Sequence, residues 1–325
     1  MKRFLVILIF ILIIAAVLSG CTGGAPAENP PDDGKISVVS TVFPSYDFAR
    51  QIAGDKINLT MLLPPGAESH SFEPSAQDII AIQNCDVFIY IGGDTDQWAG
   101  RILNAVDNGG MTVISMLEVA DTVEQEIVEG MEPDYDHDDD HSGHDHDDEP
   151  ELDEHVWTSP KNAKLIVSAI SAVLCEKDKD NAAEYEKNTA TYLVQLDELD
   201  AKLSETVQNA GHKTIIFGDR FPFRYLARDY GLGYFAAFPG CSTETEPAAA
   251  TIAFLIDKVR EENIPVVFHV ELSNERMADA MCAATGAKKL LLHACHNISK
   301  DEFESGATYV KLMTNNIAAL KEALQ

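Results

Sequence analysis

Positive charge is scarce in this chain. Its 24 lysines and arginines face 53 aspartates and glutamates, a formal net charge of −29. That balance argues against nucleic acid as a partner, because little here would neutralise a phosphate backbone. It suits cationic ligands instead. The unbroken apolar run, Phe4 to Val17, is short for a membrane-spanning helix. No helix-borne His-Glu-x-x-His is present, which removes a common zinc-hydrolase signature. Pro-Cys-x-x-Cys is absent as well, so His269-Val270-Glu271 is not read as a zinc-deaminase site. The two halves show no convincing sequence repeat.

What is present begins with an address. Lys2 and Arg3 precede the apolar run, and Leu18-Ser19-Gly20-Cys21 follows it. This is the pattern of a bacterial lipoprotein signal, cut before Cys21 and lipidated on its sulfur. Residues 21–35, with proline, glycine and aspartate, read as a flexible tether. The folded part is therefore expected in the cell envelope, anchored by Cys21 to the outer side of the cytoplasmic membrane or periplasmic. Cys85, Cys175, Cys241, Cys282 and Cys295 remain, and an odd number leaves at least one unpaired within the chain. Cys85 and Cys175 read as packing residues. Cys241 and Cys295, in loop-like stretches, are the expected disulfide in an oxidising compartment.

At 46% hydrophobic, 325 residues can bury a substantial core as one large domain or two lobes. Apolar strand patterns alternate with helical ones, which predicts an α/β fold with parallel sheets covered on both faces. Strands are expected over 36–42, 57–63, 87–91 and 112–114, and again over 214–217, 232–238, 266–270 and 289–292. Ser75 after Pro74 reads as a helix N-cap, and Pro160 as a first-turn proline. A helix over 179–208 places Tyr185, Tyr192, Leu196, Leu199 and Leu203 on one side; at roughly 45 Å it exceeds what one lobe needs. The expected division is a signal peptide (1–20), tether (21–35), N-terminal lobe (36–130), acidic His-rich loop (131–154), the rest of the first lobe (155–178), linking helix (179–210) and C-terminal lobe (211–325). Each lobe is expected to hold a roughly four-stranded parallel sheet, with a cleft between the lobes.

Ligands of open parallel sheets sit outside the carboxyl ends of strands. There the chain has Pro64-Pro65-Gly66-Ala67-Glu68-Ser69-His70, a histidine just after a rigid turn and just before a helix. His155 sits in Asp153-Glu154-His155-Val156-Trp157, where an apolar pair and a helix start should order it. His137, His141, His144 and His146 lie in an acidic run without an apolar period. That run has donors but no scaffold, and ordering it costs roughly 1–2 kcal/mol per residue fixed. It reads as a weak, multi-ion collector, or else as a solvated acidic loop. His212, after a glycine, reads as a surface residue.

Taken in order, the lipobox, Leu63-Pro64-Pro65-Gly66-Ala67-Glu68-Ser69-His70-Ser71-Phe72-Glu73-Pro74-Ser75, the His-rich insertion and Asp153-Glu154-His155-Val156-Trp157 resemble the zinc and manganese solute-binding lipoproteins of ABC importers. Arg220 to Leu232, ending in Tyr-Gly-Leu, resembles the same family, and the likeness covers nearly the whole mature chain. The resemblance implies two lobes joined by a rigid helix, small lobe tilts, and a metal in the cleft on three histidines plus a carboxylate or water. Carried over, the first two ligands are His70 and His155. The third would stand on the strand before the Tyr-Gly-Leu helix, where this chain departs with Gly218, followed by Asp219. After the last strand, where the family has a carboxylate, stands Leu292-His293-Ala294-Cys295-His296-Asn297. His293 is therefore expected as the third ligand, with His296 as its understudy. Glu271, Cys241, His296 or water would be the fourth.

Three imidazoles suit Zn²⁺; sites of hard oxygen ligands suit Mn²⁺ better. The expected function is a lipid-anchored, monomeric receptor that binds Zn²⁺ and delivers it to an ABC permease. The alternatives are a zinc hydrolase, with Glu271 as base, and a surface adhesin or metal buffer.

Overall fold

The computed structural model describes residues 34–69, 72–105, 110–131, 151–242 and 246–325. Four short strands, β1 (Ser37–Ser40), β2 (Asn58–Met61), β3 (Val87–Tyr90) and β4 (Thr112–Ser115), form an all-parallel sheet in the order β2-β1-β3-β4. Val38 and Val39 of β1 are both buried, as expected of a central strand covered on both faces. Val38 pairs with Val87, and Val87 in turn with Thr112. Helices Phe43–Ala53, Ala76–Gln83 and Gln97–Ala105 make the crossovers. Ser75 caps the second of these as its position suggests: its hydroxyl accepts the Asp78 N–H while the Asp78 carboxylate accepts the Ser75 N–H.

A second parallel sheet contains β5 (Thr214–Phe217), β7 (Gly233–Phe235), β9 (Val266–His269) and β10 (Lys288–Leu291), ordered β10-β9-β5-β7. Counted from its own first strand, this order is 2-1-3-4, as in the first sheet. The lobes therefore share a topology that their sequences do not display. Between them, strands β6 (Arg220–Phe221) and β8 (Phe238–Pro239) form a two-stranded piece of their own. The helix that follows β6 is Arg224–Tyr230, and Pro222 lies between them.

The linking helix runs over Ala182–Gln208, so its 27 residues span about 40 Å. Tyr185, Thr189, Tyr192, Leu196, Leu199, Leu203 and Val207 are buried along one face at spacings of three or four. Full burial of each aliphatic side chain among them is worth roughly 1.5–3 kcal/mol. The helix packs on Phe43–Ala53, Pro160–Lys177 and Tyr309–Ala323, which puts elements of both halves against one backbone rod. The main apolar cluster runs from Val38 through Trp157 and Leu196 to Phe268 and Leu324, and smaller clusters around Phe88 and Val267 cover the other faces of the two sheets. The chain divides into residues 1–35 and residues 36–325, and both sheets belong to the second unit.

A strap over residues 120–131 extends from the first lobe onto the second. Glu126 pairs with Arg224 at 3.2 Å and accepts the Tyr234 hydroxyl at 3.0 Å. Asp121 meets Arg228 at 3.3 Å, and Tyr225 donates to the Asp153 carbonyl at 2.6 Å. No helix among the described residues is long and apolar enough to cross a membrane.

Candidate metal centre

Where the carboxyl ends of the two sheets face each other there is a cavity of about 40 Å³, enough for an ion or a water. Glu68 and Ser69 line it from the loop after β2, Arg220 from the start of β6, Glu271 from the loop after β9 and His296 from the loop after β10. His155 completes the wall. Strands β5 and β9 are the neighbours where the order of the second sheet reverses, the place where such folds bind ligands.

His155 is buried, and its orientation is set locally. The Asp153 carboxylate accepts the His155 backbone N–H at 2.9 Å and lies 3.2 Å from ring Nδ1. A proton on Nδ1 facing Asp153 leaves Nε2 with the lone pair, the arrangement found behind many metal-bound imidazoles. Gly240 permits the close approach of the opposite wall: a Cβ there would lie 3.1 Å from His155 Cε1 and 2.9 Å from the Phe221 carbonyl oxygen.

His296 faces His155 with ring centroids 5.3 Å apart and planes at 79°. Two imidazoles on one tetrahedral ion, each with nitrogen about 2.0–2.1 Å from it, would place their centroids about 5 Å apart. The observed separation therefore fits a shared ion. Trp157 packs edge-on against both rings, at 5.5 Å from His155 and 5.0 Å from His296. Ser69 Oγ stands 3.4 Å from His296 Nδ1.

The remaining sequence-derived candidates fall in different places. Glu271 lines the cavity, but its oxygens hold the backbone of the His296 loop, accepting the Ala294 N–H at 2.6 Å and the His296 N–H at 3.0 Å. His293 is buried and does not line the cavity. Its Nδ1 accepts the Cys295 N–H at 2.9 Å, and its Nε2 is 3.7 Å from Glu302. Burial lowers its proton affinity while Glu271 and Glu302 raise it, and the net direction is upward. The amide aimed at Nδ1 opposes a second proton, so we place the proton on Nε2. Glu302, facing this ring, is drawn down to about 2 chiefly by His293.

Cys241 lies 4.0 Å from His155 Nδ1, on the edge that Asp153 occupies. Burial, followed by the Asp153 and Glu154 carboxylates, holds its thiol well above the ordinary value. Cys241 and Cys295 are both free thiols, so the disulfide expected from their loop contexts is not formed. Cys295 is fully buried and donates towards the His293 carbonyl.

Gly218 does not face the cavity. A side chain there would meet the backbone of Ala278, with its Cβ 2.5 Å from Cα, so no histidine fits. The residue this turn sends into the cavity is Arg220, two positions later. His70, the loop histidines His137, His141, His144 and His146, and Cys21 lie outside the described residues. Among the described residues, no group of three histidine, cysteine or carboxylate side chains could hold an ion by itself.

The family described as zinc-uptake complex component A, periplasmic, matches residues 38–323. The chain is 32% identical over 291 residues to the zinc-binding lipoprotein AdcA of Streptococcus pneumoniae, covering 89% of this chain and 56% of that protein. It thus spans little more than half the length of that relative. It is 32% identical over 321 residues to the high-affinity zinc uptake system protein ZnuA of Bacillus subtilis, covering 99% of this chain and 96% of that one. Among solved structures, the Zn(II)-bound ZnuA-like domain of S. pneumoniae AdcA is similar with a TM-score of 0.72 and 29% identity, over 90% of this chain and 99% of that one. The metal-dependent lipoprotein YcdH of B. subtilis gives a TM-score of 0.74 and 30% identity, over 90% and 100%.

Proposed function

The chain belongs to the family of periplasmic A components of zinc-uptake complexes, and from that premise we propose that it is an extracytoplasmic receptor that captures Zn²⁺ and passes it to an ABC permease. The observation that carries this reading is the pair His155 and His296, buried and 5.3 Å apart across a cavity sized for one ion. Zinc is the cargo, and nothing in such a receptor has to react with it. His155 and His296 supply two neutral nitrogens through Nε2. The third donor is His70, which follows Ser69, a residue of the cavity wall. Water completes the tetrahedron, with Glu271 as the alternative fourth donor; both its oxygens already serve the His296 loop. His293 acts behind the site by holding that loop. The relatives are named as zinc-binding or zinc-uptake proteins, one of them a lipoprotein, which supports both the cargo and the Cys21 anchor. Capture without chemistry also accounts for a wall whose described carboxylates, Glu68 and Glu271, both already hold hydrogen-bond partners.

The test is a zinc titration of the mature protein against a chelator of known affinity, paired with zinc uptake in cells lacking the gene. One tight site per chain, and uptake restored only by a chain with both cavity histidines, is the expected result. Ester or phosphate hydrolysis that tracks zinc occupancy would overturn it in favour of an enzyme.

A further inference from the structure

Arg220 and Glu68 meet across the mouth of the cavity. Both guanidinium nitrogens Nη1 and Nη2 donate to Glu68 Oε1 at 3.2 Å, and Nη1 also donates to the Ser242 carbonyl at 3.2 Å. Arg220 comes from the second lobe and Glu68 from the first, and both line the cavity beside His155 and His296. The arginine is built in. Its backbone is paired in β6 with β8, and its N–H donates to Asp219 Oδ1 at 2.9 Å. The other Asp219 oxygen accepts the Val270 N–H at 3.2 Å, which ties this turn to the loop bearing Glu271. The Arg220 side chain is only 15% exposed.

We propose that Arg220 sets the metal preference of the cavity by keeping Glu68 from serving as an oxygen ligand; this rests on the receptor reading above. Among the described residues two carboxylates line the cavity, and both are engaged, Glu68 with the guanidinium and Glu271 with two backbone N–H groups. A guanidinium does not give up its proton, so the arginine keeps its charge at any working pH. Its charge repels Zn²⁺ and Mn²⁺ alike, since both are divalent, and repulsion alone selects neither. Selection comes from ligand type. Zinc binds well to neutral imidazoles, whereas manganese draws its affinity from carboxylate and other hard oxygens. A cavity whose carboxylates are held away from the ion therefore keeps its nitrogen donors for zinc and offers manganese little.

The experiment compares Zn²⁺ and Mn²⁺ affinities of the full mature chain, wild type and with Arg220→Gln, Arg220→Lys, Glu68→Gln and the double change Glu68→Gln/Arg220→Gln. Manganese binding is read directly by its paramagnetic resonance signal. Arg220→Gln should raise Mn²⁺ affinity about tenfold or more relative to Zn²⁺, and the double change should abolish that gain, as a double-mutant cycle requires. Arg220→Lys, which keeps the charge and can still pair with Glu68 through one nitrogen, should show a smaller manganese gain than Arg220→Gln. Equal shifts for both metals would mean that Arg220 acts by charge alone and would overturn the proposal. So would unchanged selectivity in Arg220→Gln, or a manganese gain that survives loss of Glu68. A wild-type chain without a tight zinc site would overturn the receptor reading itself, and this proposal with it.

Discussion

The Trp157 indole N–H donates to the Ala294 carbonyl at 2.7 Å, deep in the core between the lobes. Trp157 is two residues after His155, and Ala294 is two before His296, so one buried hydrogen bond references both cavity histidines to each other. The Tyr309 hydroxyl adds a second tie, donating to the Trp157 carbonyl at 2.6 Å. Trp157→Phe keeps an aromatic ring but leaves the Ala294 carbonyl without its donor. A cost of about 1–3 kcal/mol follows from an unsatisfied buried acceptor. Thermal melting should fall accordingly, and zinc affinity should fall with it, because the two imidazoles lose their common anchor.

The roles of His293 and His296 separate by measurement. His155→Ala and His296→Ala should each weaken zinc binding by more than about 100-fold, whereas His293→Ala, acting only on the loop behind the site, should cost at most about tenfold. His293→Ala should instead lower thermal stability in the metal-free protein. It removes the acceptor for Cys295 N–H and disturbs the exchange with Asn316, whose side chain accepts the His293 N–H at 2.8 Å and donates to its carbonyl at 2.7 Å. Equal zinc affinities for His296→Ala and wild type would show that the ion sits elsewhere.

This pair of histidines also shows where sequence reading stops. The strands, the Ser75 cap and the buried face of the long helix were legible, because hydrophobic period and capping chemistry act locally. The α/β lobes and their cleft followed from them. Which of two histidines three residues apart turns inward was not legible, since Cys295 adopts a left-handed φ of 60° between them. No residue type demanded that turn. Arg220 was hidden for a related reason. The expected ligand position fell on Gly218, but side-chain direction changes within two residues of a strand end, and Gly218 turns to the backbone of Ala278. The Asp153-x-His155 spacing was a usable signal for the carboxylate behind His155, since Asp commonly bonds the backbone two residues on.

Stability should carry an unusual acidic-range signature from Asp96. Burial, opposed by the Ile91 N–H and assisted by Glu154, raises its carboxyl to about 6. Between about pH 4 and 6 the folded chain then holds a proton that the unfolded chain has released, so this group's contribution falls as pH rises through that window. The size is on the order of 2–3 kcal/mol for a shift of about two units. In Asp96→Asn, whose amide oxygen can still accept the Ile91 N–H, denaturant midpoints should lose that part of the slope. A slope identical to wild type would remove Asp96 as its source.

Deleting residues 132–150 should leave one tight zinc site and remove only weak ones. The cavity pair His155 and His296 stands outside that stretch. Isothermal titration of the deleted chain checks this. Loss of all tight binding would relocate the site to the loop.

Asn297 offers the sharpest test of how the cavity is kept closed. Its side-chain amide donates to the Pro64 and Ala67 carbonyls, both at 2.8 Å, while the Gly66 N–H donates to the Ile298 carbonyl at 2.7 Å. The loop leading to Ser69 is thereby fastened to the loop carrying His296, one from each lobe. Asn297→Asp is nearly isosteric, yet an ionised carboxylate has no proton to donate and faces two carbonyl oxygens instead. The fastening should fail while the core, anchored on Trp157 and the long helix, stays folded. Zinc should then dissociate faster, by about tenfold or more if roughly 1.4 kcal/mol or more is lost from the bound state. Asn297→Gln, which keeps both donors on a longer arm, should recover part of that loss. Chelator-driven release kinetics separate the cases, since a purely structural defect would lower melting temperature in Asn297→Asp without changing the release rate of the fraction that remains folded.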